Sequence, residues 1–394
     1  MSHASAMEAR PRPRVCVIGT SNSAGAGSYA GALARDPWFQ LVENRALGFC
    51  TSDLFAFRRP GLDFADFDLC ILDFAPNDGA LLAGQRLDAD RIQQAMTWAI
   101  SEITRAGCLP VLNILPIVNL MPDGRGIRRL LTKLAERFAL PFFDGYAFLN
   151  RLLALDPDAP QPGLFKDRMH YTLPVAHFIG ACLGEALRQL WARPIAFDAP
   201  PVMTQAQEHR FLPAETLFEG LPSLHSRTAM VETRLVHLAG EARLRLALPP
   251  GSEITSLVAD FARCRGVLSL SGDRTARLGI TGKTYTEDPA AKMTLGIYPL
   301  PATVGSASGA FELALTAAGP ADISMSVPAS AADSPRLMIA GLVARGPQAP
   351  LPVRHMLPEA LELGALIPDS RLAEGRATFP PTTEFVVSGK IGYD

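Results

Sequence analysis

Two hydroxyls, Ser21 and Ser23, stand in the stretch CVIGTSNSAGAG (16–27), between an apolar run ending at Gly19 and a turn with Gly25 and Gly27. Where a strand gives way to a helix, such residues suit two chemistries. Backbone amides there cradle a phosphate, or an exposed hydroxyl attacks a carbonyl. The second chemistry needs an imidazole base and a carboxylate to orient it. Among the seven histidines, His170 alone closes an α/β unit beside an acid at fixed local spacing: in FKDRMHYTLP, Asp167 precedes it by three residues. A short loop of that spacing lets the carboxylate hold Nδ1–H and leaves Nε2 free to take a proton. His177, off the apolar stripe of the following helix, reads as structural or solvated.

The phosphate chemistry has its own support. Gly25-Ala26-Gly27-Ser28-Tyr29-Ala30 fits the loose dinucleotide pattern G-x-G-x-x-A, with Glu43 near the acidic position. That pattern should follow its strand directly, yet residues 19–24 intervene, so close helix packing and a tight turn account better for the glycines. Neither a G-x-x-x-x-G-K-[ST] loop nor the G-x-S-x-G elbow of ordinary α/β-hydrolases occurs. Structural roles compete for each candidate. Ser21 or, more readily, Ser23 could cap the next helix, and Asp167 could be a solvated loop acid.

The elements that must position these residues follow from hydrophobic periodicity. Near-continuous apolar runs predict strands over 15–18, 39–43, 69–74, 110–115 and 141–144, with helices over 24–34, 89–105 and 125–138. This alternation predicts a doubly wound parallel α/β layer. Val175, Phe178, Ile179, Cys182, Leu183, Ala186, Leu187 and Leu190 form the stripe of a closing helix, capped at Thr172, with Pro174 in its first turn. The strand ends carry Ser21, the Asp167/His170 pair and the ligand crevice expected of open α/β sheets. A helix starting near residue 24 would also bring its positive end close to Ser21. After ARPIAFDAPP the period changes to two: RLRLAL (243–248), KMTLGIY (292–298), FELALT (311–316) and DISMSV (322–327) predict antiparallel strands of a β-sandwich.

The serine turn GTSNS, the glycine of NRALGFCTSD, the asparagine of DFAPND, and DRMH together resemble the four sequence blocks of the SGNH/GDSL hydrolases, in order, over residues 13–192. The resemblance implies a flavodoxin-like three-layer α/β/α fold with Ser21 as nucleophile and Asp167 and His170 completing a triad. It implies an oxyanion hole from the amides of Ser21 and Gly48 and the side chain of Asn77. Thr20 and Ala75 stand where the family usually has an aspartate and a glycine. Taken alone, Gly48 could answer a need for positive φ, and Asn77 could belong to an Asn-Asp-Gly turn.

At 394 residues the chain predicts two domains, at 13–195 and 205–345, followed by an irregular extension over 346–394 that packs on one or both. With 48% hydrophobic and 19% charged residues it is globular. A net charge of -2 without a basic block argues against nucleic acid. The six cysteines form no C-x-x-C pair, which argues against common zinc sites and for buried free thiols. The first residues, MSHASAMEARPRPR, lack the apolar run of a signal peptide, and no stretch is long and apolar enough to span a bilayer. A reducing, cytoplasmic setting is expected, with no metal or organic cofactor and oligomeric state left open.

The expected activity is hydrolysis of a short acyl ester, such as O-acetyl, on a carbohydrate or related polar substrate. Acyl transfer by the same triad and non-catalytic carbohydrate binding are the alternatives. Trp38, Trp98 and Trp191 all fall in the first half, and the β region keeps Tyr285 and Tyr298. An aromatic sugar platform there is weakly supported; shaping the cleft or a dimer contact suits that region as well.

Overall fold

The computed structural model describes residues 10–157, 163–282, 285, 286, 288, 292–324 and 334–380. In its first half, chain order runs β1 (Arg14–Gly19), α1 (Tyr29–Ala34), β2 (Leu41–Asn44), α2 (Leu54–Arg58), β3 (Leu69–Asp73), α3 (Ala75–Ala83), α4 (Ala89–Arg105), β4 (Leu109–Ile114), α5 (Arg125–Phe138), β5 (Pro141–Asp144), α6 (Gly145–Ala154) and α7 (Leu173–Trp191). The β half follows with β6 (Pro201–Pro213), α8 (Ala214–Leu217), β7 (Ser223–Arg227), β8 (Glu232–Ala239), β9 (Ala242–Ala247), β10 (Ser252–Asp260), β11 (Val267–Ser271), β12 (Thr275–Gly279), β13 (Leu295–Ser306), β14 (Ala310–Thr316), β15 (Ile323–Ser324) and β16 (Arg336–Arg354). The chain then forms β17 (Leu361–Glu362) and α9 (Asp369–Thr378).

The first sheet is parallel in the order β17-β5-β4-β3-β1-β2. Its five N-terminal strands have the flavodoxin-like order, with the switch point between β1 and β3. Val15 and Val17 face one apolar cluster and Cys16 and Ile18 the other, so β1 is buried on both faces, as a parallel strand between helix layers must be. Helix α7 buries the expected stripe against α1. Gly180 permits that approach, because a Cβ there would come 2.5 Å from the Tyr29 carbonyl oxygen. Thr172 occupies the N-cap position, but its hydroxyl donates to the Gly163 carbonyl (3.0 Å) and not to the helix amides.

Two further sheets, β13-β10-β16-β8-β7 with β6 beside β16, and β15-β12-β11-β14-β9, make up the β half; all pairings but β12–β15 are antiparallel. Leu257, Ile297 and Ile339 of the first and Leu268, Leu278 and Leu313 of the second join one core, which continues into Trp98 and Ile103 of α4.

Three expectations need correction. The helix expected over 24–34 starts only at Tyr29, because Gly25 takes φ +79° and Ser28 caps the helix, its Oγ accepting from the Gly31 amide (3.1 Å). The helix therefore starts eight residues beyond Ser21 in the chain, not three. The boundary drawn at 345 cuts β16, which runs unbroken to Arg354, and the segment expected to be irregular then adds β17 and α9 to the α/β half. Of the strand expected over 322–327, β15 holds residues 323–324, and 325–327 lie outside the described residues, as do 381–394.

All six cysteines are buried and unpaired by disulfides. No described helix is long and apolar enough to cross a membrane. The described residues contain no cluster of His, Cys, Asp or Glu that could hold a metal ion.

Candidate active site

Ser21 sits two residues past β1, on a turn secured at both ends. The Thr20 amide donates to the Asp73 carbonyl at the end of β3 (3.0 Å), and the Ala24 amide donates to the Ser21 carbonyl (3.2 Å). The Thr20 hydroxyl accepts from the Asn22 amide (3.4 Å). Across the rim, Asn22 Nδ2 donates to the Met169 carbonyl at 2.8 Å, tying the serine turn directly to the histidine loop.

That loop brings Ser21, His170 and Asp167 together. His170 Nε2 lies 2.8 Å from Ser21 Oγ, and His170 Nδ1 lies 2.9 Å from each Asp167 carboxylate oxygen. Asp167 Oδ1 also accepts from the amides of Met169 and His170, both at 2.8 Å. Burial alone would raise the Asp167 carboxyl; these amide bonds and the imidazole outweigh it and hold the group below its ordinary range. An ionised Asp167 favours the tautomer with hydrogen on Nδ1, leaving the Nε2 lone pair toward Ser21. The loop itself is braced: the Lys166 amide donates to the His170 carbonyl (2.9 Å), the Tyr171 hydroxyl to the Pro116 carbonyl (2.6 Å), and the Phe165 and Tyr171 rings stack at 4.8 Å.

Gly48 and Asn77 converge on the same rim. A Cβ on Gly48 would lie 4.0 Å from Ser21 Cβ. The Leu47 amide fastens this loop to the Gly19 carbonyl at 2.9 Å. Among the described residues, the amides of Ser21 and Gly48 donate to no protein group. Asn77 is not a turn residue; it lies in the first turn of α3, where Nδ2 donates one hydrogen to the Cys50 carbonyl (2.7 Å) and has a second to offer. The positive φ expected of Gly48 falls instead on its neighbour, Phe49 (φ 51°).

Ser23 is neither nucleophile nor cap. It is fully buried, and its hydroxyl donates to the Asp73 carboxylate beside the Tyr29 hydroxyl. Burial raises the Asp73 carboxyl to about 7, against the lowering effect of the Ser23 and Tyr29 hydrogen bonds. Sequence reasoning missed Asp73, whose one signal was an acid closing an apolar run. Gly25 and Gly27 form the turn after Ser23, with Leu173 packed 3.3 Å from where a Gly27 Cβ would stand. Glu43 pairs with Arg45 at the surface, and no described feature links it to these glycines. Arg35 Nη2 lies 2.9 Å from His177 Nε2 on the exterior.

No protein-family model and no curated protein matches the sequence. Among solved structures, the chain is similar to a two-domain esterase active on acetylated mannans, at 12% identity and a TM-score of 0.56, covering 85% of this chain and 92% of that one. It is also similar to Axe2, an acetylxylan esterase from Geobacillus stearothermophilus, at 18% identity and a TM-score of 0.36, over 48% of this chain and 99% of that one. The chain thus shares the fold of that two-domain esterase over most of its length, its own α/β layer being followed by an all-β half.

Proposed function

We propose that the protein is a serine esterase of SGNH type that removes a short acyl group, such as acetyl, from a carbohydrate. The observation that carries this reading is the unbroken contact from Ser21 Oγ to His170 Nε2 and from Nδ1 to both oxygens of Asp167. The fold shared with an esterase active on acetylated mannans supports the substrate class.

In this mechanism Ser21 Oγ attacks the acyl carbonyl carbon while its proton passes to His170 Nε2. Asp167, already ionised, stabilises the resulting imidazolium. The amides of Ser21 and Gly48 and the free hydrogen of Asn77 Nδ2 receive the oxyanion. The alcohol leaves with the His170 proton, and a water, deprotonated by the same imidazole, then releases the acid from Ser21. No step needs a metal or organic cofactor. The buried free thiols support a reducing, cytoplasmic setting.

Covalent labelling tests the reading. A fluorophosphonate should label the native protein at one serine, Ser21→Ala should abolish both labelling and turnover of acetyl esters, and Ser21→Ala should melt as the native chain does. A native protein that takes no label, or a Ser21→Ala variant that still takes it, overturns the assignment.

A further inference from the structure

Phe49 breaks two rules at once. It is the most exposed large apolar side chain among the described residues, at 66%. It also holds φ 51°, a region that bulky side chains rarely adopt unless the surroundings enforce it. The enforcement comes from the β half. The Ile297 amide, on the free edge of edge strand β13, donates to the Phe49 carbonyl at 2.7 Å. Strand β13 gets this close because position 296 is glycine; a Cβ there would come 3.0 Å from the same carbonyl oxygen. On the other side, Gly48 abuts Ser21, and the Cys50 carbonyl accepts from Asn77. The loop is thus held from both sides, and the ring it presents to solvent is one residue from the oxyanion site.

We infer that Phe49 is a specificity-determining residue: an aromatic platform on which the pyranose ring bearing the ester rests while its acyl group reaches Ser21. A pyranose has a flat face of C–H bonds and a polar rim, so one exposed aromatic face gains contact area with it at little entropic cost, the side chain having two torsions and a backbone already fixed. The inference rests on the esterase reading above and adds the alcohol side of the ester to it. It also gives the β half a part in recognition, through Ile297 and Gly296.

The test compares two triacetates, methyl tri-O-acetyl-β-xylopyranoside and ringless glyceryl triacetate, through the ratio of their kcat/KM values. Phe49→Ala should lower the xyloside-to-glyceride ratio about tenfold, carried by a higher KM for the xyloside. Phe49→Leu, which keeps apolar bulk and guards against loss of folding, should lower it by a similar factor because the flat face is gone. Phe49→Trp should restore the ratio. An unchanged ratio in Phe49→Ala and Phe49→Leu overturns the inference, as does an equal loss on both esters, which would make Phe49 a support for the oxyanion loop only. If the native protein turns over neither ester and takes no fluorophosphonate, the esterase reading falls with it; native turnover with an unmoved ratio removes the platform alone.

Discussion

Asn77 illustrates how little a residue's type reveals of its duty until its partner is known. In sequence it begins Asn-Asp-Gly, a turn signal; in the fold it opens α3, and the Cys50 carbonyl takes one of its two amide hydrogens. In the proposed mechanism the remaining hydrogen meets charge that appears only as the acyl carbon becomes tetrahedral. Asn77→Ala should therefore lower kcat roughly a hundredfold with little change in KM, as loss of one preorganised oxyanion donor does. Steady-state kinetics on an aryl acetate, with a melting curve to register the lost Cys50 contact, check this; a pure KM effect would exclude the role. The contact among Ser21, His170 and Asp167 was legible because Asp167 and His170 interact locally, across three residues, and Ser21 follows a strand end. Ser23 and Phe49 were not. The partner of Ser23, Asp73, lies fifty positions away, and nothing in GFC indicates that a strand of the β half will seize the Phe49 carbonyl.

At the scale of elements, apolar periodicity placed the five N-terminal strands of the α/β layer to within two residues and missed β17; burial of β1, β3, β4 and β5 leaves few polar residues to confuse the pattern. Helix starts were harder. Ser21, Ser23 and Ser28 all precede the α1 segment, and only the folded turn shows which hydroxyl meets a helix amide. Ser28 does so, and its Oγ also lies 2.7 Å from both the Ser23 and Gly25 carbonyls, so one hydroxyl finishes the serine turn and begins α1. Ser28→Ala should cost about 1 kcal/mol of stability, the usual value of an N-cap. It should also slow fluorophosphonate labelling, because the turn that presents Ser21 loses an anchor. A variant that loses stability but labels at the native rate would confine Ser28 to capping.

Across the whole molecule, the two halves meet through polar groups that no sequence window contains together. Asp53, just before α2, lies between Ser256 Oγ (2.5 Å), Thr255 Oγ1 (3.1 Å) and His209 Nδ1 (3.3 Å), with Arg91 Nη2 at 4.0 Å. Ser256 reaches it from a bulge in β10, and Arg91 of α4 donates to the Thr255 and Leu300 carbonyls of the β half. Burial would raise the Asp53 carboxyl, but the close contact with His209 and the charges of His209 and Arg91 push it far below its ordinary value. Its contribution to stability is therefore full above the unfolded-state pKa, near 4, and is lost only as pH falls well below that.

Asp73 and Asp78 have the opposite sign. Burial raises each to about 7, so between roughly pH 4 and 7 the folded chain keeps protons that the unfolded chain has released. Stability must then fall as pH rises through that window, by up to about 1.4 kcal/mol per pH unit for each group, and level off once both states are ionised. Asp73→Asn keeps an acceptor for Ser23 but removes one proton from the balance. Denaturant titrations at pH 5, 6 and 7 should show the native chain losing stability with pH and the variant losing it about one proton less steeply. Equal slopes would mean that Asp73 is ionised in the folded protein throughout, with the Ser23 and Tyr29 hydroxyls outweighing its burial.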